Sequence, residues 1–308
     1  MILKSRGVVT PGGVRAASVH IRGERIERVG DYEEKADIDY GELVIMPGLV
    51  DSHVHVNEPG RTEWEGFESA TRAAAAGGVT TIVDMPLNSI PPTISVAALM
   101  AKAEAMDGKC WVDVGLWGGA VPGNASRLRD MIREGALGFK CFLVDSGVPE
   151  FRHLDAQGLA AALDALRDTN APLLVHAELP ELIGVASGPS YGAFLRSRPP
   201  EAEDAAIDLV YAAVKRSHAR AHIVHLSSAA ALETILRARD HRFPLTAETT
   251  PHYLHFEAEK IPDGAPEFKC APPIREHANR EELWRGIEDR LLAGIVSDHS
   301  PCTPELKR

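Results

Sequence analysis

The chain has 308 residues, 44% of them apolar, with a formal charge of −11, so it can bury a large core without disulfides. A disulfide scaffold, a disordered tail and a membrane span are excluded, since no window approaches the roughly 18 uninterrupted apolar residues a span requires. The acidic balance leaves no basic face for nucleic acid or anionic lipid. Cys110, Cys141, Cys270 and Cys302 stand far apart without a C-x-x-C pair, and MILKSRGVVT lacks the apolar stretch of a secretory signal. Reduced thiols in a cytoplasmic protein are the expectation. Cys302 is a candidate reactive thiol, although its small neighbours favour a structural role.

Residues 1 to 45 carry short β-type runs at Gly13 to Ile21, Arg25 to Val29 and Leu43 to Ile45, separated by Gly and acidic turns. They are expected to form a small separate β domain. Beyond them, β-branched runs alternate with segments of helical period, and residues 46–308 are expected to form one α/β domain. Eight such runs are counted: 43–50, 79–85, 111–117, 137–143, 172–177, 222–226, 244–249 and 294–298. Between them, Leu159, Leu163 and Leu166, and likewise Leu232, Ile235 and Leu236, form apolar helix faces, and Asn124 is a candidate helix cap. Eight βα units fit a (β/α)8 TIM-like barrel, whose chemistry gathers at the C-terminal ends of its strands. A doubly wound sheet is the weaker choice, because no G-x-G-x-x-G follows an early strand.

Polar residues fall where a purely structural strand would carry Val or Ile. His53 and His55 follow at i, i+2, which puts both rings on one face of an extended segment. His176, His225 and Asp298 end three other runs, and Lys140 sits between Phe139 and Cys141, where desolvation disfavours its ammonium form. Together they would converge on one barrel mouth, and imidazole with carboxylate suits divalent transition metals. His252 and His255 follow strand seven as candidate substrate-side groups, while His20, His153, His218, His241 and His277 are expected at the surface.

The motifs PGLVDSHVHVNEPGRTEWEG (47–66), GGVTTIVDMPLNSIPPT (77–93), GFKCF, VHAE, VHLSS, TTPHY, KCAPPIR and VSDHSPC together resemble the cyclic-amidohydrolase branch of the amidohydrolase superfamily, the allantoinases above all. The resemblance covers nearly the whole chain. It implies a (β/α)8 barrel with a β-sandwich portion, and two divalent metal ions bridged by a carbamylated lysine. Zinc is the first choice of metal, with iron, cobalt and manganese also compatible. The implied ligands are His53, His55, Lys140, His176, His225 and Asp298, the positions already singled out by their placement.

The implied reaction is hydrolysis of the hydantoin ring amide of allantoin to allantoate, by a hydroxide bridging the metals, with Asp298 carrying the proton to the leaving nitrogen. Dihydroorotases resemble H-x-H-x-R, but Asn57 stands at the arginine position; hydantoinases and dihydropyrimidinases carry a tyrosine where Asp145 stands here. Asn57 and Asn88 are therefore the candidate substrate-binding residues, suited to a neutral, amide-rich ring. The alternatives are a broader hydantoinase or dihydropyrimidinase-type cyclic amidase, or a non-enzymatic scaffold relative that has lost metal ligands. The expected partner is the small-molecule substrate, in a homo-oligomer when full length. In the family the chain continues well past this last motif. The expectation is therefore an eighth barrel helix and sandwich strands missing after strand eight, and low stability and activity for these 308 residues alone.

Overall fold

The computed structural model describes residues 1–307, which divide into two compact units, Met1–Leu49 and the residues from Val50 onward. The first is a five-stranded sheet. Strands β1 (Ile2–Thr10), β2 (Gly13–Arg22) and β3 (Arg25–Gly30) run antiparallel, while the short β4 (Ile38–Asp39) and β5 (Val44–Ile45) pair parallel to β1. Sequence periodicity misses β1 because Lys4, Arg6 and a register shift between Ser5 and Val8 interrupt its alternation. The buried apolar residues of the sheet are Val8 on β1 and Ala17 and Val19 on β2. His20, expected at the surface, is half-buried on β2 and pairs with Glu34 at 2.9 Å.

The second unit holds eight parallel strands in barrel order: β6 (Leu49–Val54), β7 (Val79–Asp84), β8 (Asp113–Leu116) continued by β9 (Gly118–Gly119), β10 (Phe139–Phe142), β11 (Leu173–His176), β12 (Ala221–Ile223), β13 (Leu245–Thr249) and β14 (Gly294–Ile295). The third barrel strand breaks at Trp117, whose N–H donates to Asp84 O while that of Gly118 donates to Gly138 O, so the two halves bond to opposite neighbours. The ring closes between Val54 and His299, where His55 N donates to His299 O at 2.7 Å. Closure removes the open edges a flat sheet would present.

Strand one requires a correction. The run at 43–50 is split by Pro47 and Gly48: its front half is β5 of the first unit, and the barrel strand starts at Leu49 and continues to Val54. Proline cannot donate to a ladder, so a continuous strand across it is disfavoured. The shift puts His53 inside the strand and His55 just past its end.

Helices α1 (Phe67–Ala76), α2 (Val96–Met106), α3 (Leu128–Arg133), α4 (Ala156–Leu166), α5 (Tyr191–Ser197), α6 (Pro200–Ser217), α7 (Leu232–Asp240), α8 (Pro251–His255) and α9 (His277–Glu288) surround the strands. Leu159, Leu163 and Leu166 of α4 are fully buried against this layer, as the leucine spacing requires. Asp155 caps α4 by accepting from Gly158 N at 2.7 Å, and Ser95 caps α2 in the same way. Asn124 caps nothing with its side chain. Its amide instead accepts from Val121 N and donates to Ile94 O and Gly119 O, tying the loop after the broken strand. Among the described residues no helix is long and apolar enough to cross a membrane.

Candidate metal centre and its cavity

Parallel strands with short excursions place their C-terminal ends at one mouth, and the histidines arrive there from different strands. His53 Nε2 lies 3.1 Å and His55 Nε2 3.6 Å from Asp298 Oδ1, and these three residues form a group able to hold a metal ion. From the neighbouring strands, His176 Nδ1 faces His225 Nε2 at 3.2 Å. The rings of His53 and His225 are 5.3 Å apart between centroids, so the two clusters adjoin. Lys140 enters from β10, 1% exposed, with Nζ 4.9 Å from the Phe142 ring centroid, and its charge acts on all four histidines.

Burial and mutual charge set the protonation of these groups. Burial pushes the Lys140 ammonium down to about 8 and the His55 imidazolium to about 3, and it lowers His176 and His225 too. For Asp298, burial would raise the carboxyl, but His53 outweighs it and holds the group well below its ordinary range. Burial would likewise lower His53, but Asp298 and Glu248 raise it. A cation at this point would compete with that proton.

The backbone at the site is strained. His225 (φ 39°), Asp298 (φ 51°) and Asn88 (φ 73°) all adopt left-handed conformations that non-glycine residues rarely take. Such conformations persist only where surrounding structure over-determines them, and they concentrate at functional sites.

Two carboxylates not singled out from sequence stand behind the histidines. Glu178 Oε2 accepts from His176 Nε2 at 2.7 Å and is gripped by Arg198 through Nε at 3.0 Å and Nη2 at 2.7 Å. Glu248 Oε1 accepts from His53 Nδ1 at 2.8 Å. Burial would raise both, but their partners outweigh it and hold each at about 2. Each fixes one ring nitrogen as a donor and turns the other inward, the usual support for metal-ligating imidazoles.

The donor set fits a pair of divalent ions. His53 Nε2 is buried and has no hydrogen-bond partner despite the nearby Asp298 oxygen, as expected where two acceptors converge on a cation position. Imidazole nitrogens with a carboxylate are the ligands such ions take.

A cavity of about 340 Å³ opens onto these groups, lined by His55, Lys140, His176, His225 and Asp298. Asn88, Asp145, Arg198 and His252 complete much of its wall. The two candidate substrate residues separate here. Asn88 lines the cavity, whereas Asn57 is fully buried, donates to Pro301 O at 3.3 Å and is absent from the lining. His252 reaches the cavity, but His255 is exposed and stacks edge-on against Phe256.

Residues 44–301 match the profile of the amidohydrolase family. The chain belongs to the amidohydrolase family. Among curated members it is 48% identical to the allantoinase of Streptomyces avermitilis, over all of this chain and 71% of that protein. It is 49% identical to the allantoinase of Saccharomyces cerevisiae over 85% of this chain and 59% of that one. Among solved structures, an L-hydantoinase (dihydropyrimidinase) from Arthrobacter aurescens superposes with a TM-score of 0.91 at 27% identity, covering 99% of this chain and 70% of that one. The chain thus spans roughly two thirds of the length of these amidohydrolases.

Proposed function

We propose that this chain hydrolyses the hydantoin ring amide of allantoin to allantoate at a binuclear metal centre held by His53, His55, Lys140, His176, His225 and Asp298. The observation that carries the reading is that five of these side chains, His55, Lys140, His176, His225 and Asp298, line one cavity, with His53 buried directly behind it against Asp298. Its volume falls at the low end of small-molecule sites, about 300–1,000 Å³. The named relatives support allantoin over other cyclic amides, since identity to the allantoinases is well above that to the hydantoinase structure.

When bound, a pair of divalent ions, zinc in this reading, supplies a Lewis acid for the ring carbonyl and an activated water. The chain's own residues do the rest. His53 and His55 serve as ligands alongside Asp298, and His176 and His225 as a second pair. Lys140 Nζ, buried and with a lowered affinity for its proton, could add to carbon dioxide with release of a proton, and the resulting carbamate would supply an anionic ligand to the ions. Asp298 accepts the proton of the attacking water and delivers it to the ring nitrogen as the amide bond breaks. Asn88 offers an amide donor and acceptor to a neutral, amide-rich ring. The five-stranded sheet of Met1–Leu49, with Val14 and Ile26 each 66% exposed, is read as one layer of a β-sandwich.

The test is a substrate panel with zinc-reconstituted protein: allantoin, hydantoin, dihydrouracil and dihydroorotate. Turnover should be greatest for allantoin and abolished by a chelator. Preferred turnover of hydantoin or dihydrouracil would replace this reading with that of a broader cyclic amidase, and chelator-resistant turnover would remove the metals from it.

A further inference from the structure

At the opposite end of the barrel from the catalytic cavity lies a second cavity, of about 540 Å³, lined among others by Ser52, Trp117, His222, Thr246 and Glu248. Thr246 and Glu248 are two residues apart on β13 and so share a face, and the parallel register sets His222 of β12 opposite Thr246. The contacts form one chain. Thr246 Oγ1 and His222 Nδ1 are 2.7 Å apart, His222 Nε2 is 3.1 Å from Glu248 Oε2, and Glu248 Oε1 is 2.8 Å from His53 Nδ1. Glu248 is 5% exposed and His53 fully buried.

The donors and acceptors in this chain admit a consistent order with both imidazoles neutral. A carboxylate only accepts, so Glu248 takes a proton donor from each side: Nε2–H of His222 and Nδ1–H of His53. His222 Nδ1 is then left to accept from the Thr246 hydroxyl. At the far end this order leaves His53 Nε2 with a lone pair, and it is the atom without a hydrogen-bond partner beside Asp298.

We propose that Glu248 and His222 are positioning residues, acting from the amino-terminal cavity through the back of the barrel to hold His53 as its Nδ1–H tautomer with Nε2 free for metal. The inference rests on His53 being a metal ligand. His222 stands outside the ligand set, on the far side of Glu248, yet its donor bond decides which way that carboxylate is occupied.

The experiment measures zinc affinity of the full chain by chelator competition, without substrate, in wild type, Glu248→Gln, His222→Leu and His222→Gln. Unfolding of the metal-free forms checks that each variant is folded. Glu248→Gln should weaken zinc binding by about 10- to 100-fold. His222→Leu should weaken it in the same direction, and His222→Gln, which keeps an N–H near the Nε2 position, should restore it; a packing role alone would give no such rescue. Unchanged zinc affinity in folded Glu248→Gln and His222→Leu would overturn the proposal. Should the variants fail to fold, nitrogen NMR of zinc-loaded wild type decides: a proton on Nδ1 of His53 is expected, and Nδ1 without a proton would overturn it. Wild type that binds no zinc would defeat the metal reading as well, whereas wild-type binding with indifferent variants defeats this inference alone.

Discussion

Nδ1 of His176 lies 3.2 Å from Nε2 of His225, while the other nitrogen of His176 is committed to Glu178 at 2.7 Å. His176 therefore offers a lone pair toward His225, whose own Nδ1 is buried without a partner. Two neutral imidazoles so placed, beside a lysine whose ammonium is disfavoured, make an environment for a cation. His225→Ala should remove one of two bound zinc equivalents and reduce turnover to background. Metal analysis showing full occupancy in this variant would place the ion elsewhere.

Lys140→Ala should lose most bound metal and activity together, since the proposed carbamate forms on this lysine. Small carboxylic acids that enter the vacated space should partly restore both. Wild-type metal stoichiometry in the variant would show that no such bridge forms.

Asp298→Asn keeps an oxygen toward the metal position but cannot take up a proton. Its kcat is expected to fall by about 10²- to 10⁴-fold, the usual contribution of a positioned general acid–base group, while a substantial share of the metal is retained. Steady-state kinetics alongside metal content separates the two effects, and near wild-type kcat would remove the proton-carrying role.

Most of the barrel was legible because β-branched runs such as VTTIVDM and PLLVHA are long enough to mark strands, and because His176 and Asp298 at or beyond run ends break the apolar pattern. Strand one was misplaced because LVIMPGLV reads as one apolar run, and only its Pro47–Gly48 pair separates two units. Glu178 and Glu248 were not singled out. In VHAE and TAET a lone glutamate resembles a solvent-facing strand end, and the role of Glu248 appears only when folding brings it to His53, 195 positions away. Asn57 shows the converse: its match to the arginine position of the dihydroorotase motif suggested a substrate contact, but the chain turns its amide inward to Pro301.

Lys102 and Asp84 form an ion pair with both side chains fully buried, Nζ to Oδ2 at 2.5 Å. Lys102 also donates to Met85 O, and Asp84 accepts from Val56 N at 2.7 Å, next to His55. Lys102→Met strands a buried carboxylate and should cost about 3–5 kcal/mol of stability. Adding Asp84→Asn, which still accepts from Val56, should recover part of that loss. Urea unfolding of single and double variants checks this, and a single variant as stable as wild type would contradict it.

Glu257 is held at about 2 by its bonds to Lys260 and His277 and by the charge of Arg280. Because its folded affinity for protons is below that of the unfolded chain, its stabilisation is present above about pH 4.5 and is lost as pH falls toward 2. Thermal unfolding of metal-free Glu257→Gln should show a lower midpoint than wild type at about pH 6, with the gap narrowing at about pH 3 and closing only as pH falls through about 2. A gap that widens with acid would reverse the sign.

In the proposed centre, six side chains at or just beyond the ends of the barrel strands hold two divalent ions, and elemental analysis of the protein after zinc reconstitution and removal of free metal counts them. The expected result is two zinc ions per chain in wild type, with fewer in His53→Ala and in His225→Ala. A folded wild-type protein that retains no zinc, or variants that retain as much as wild type, would contradict it.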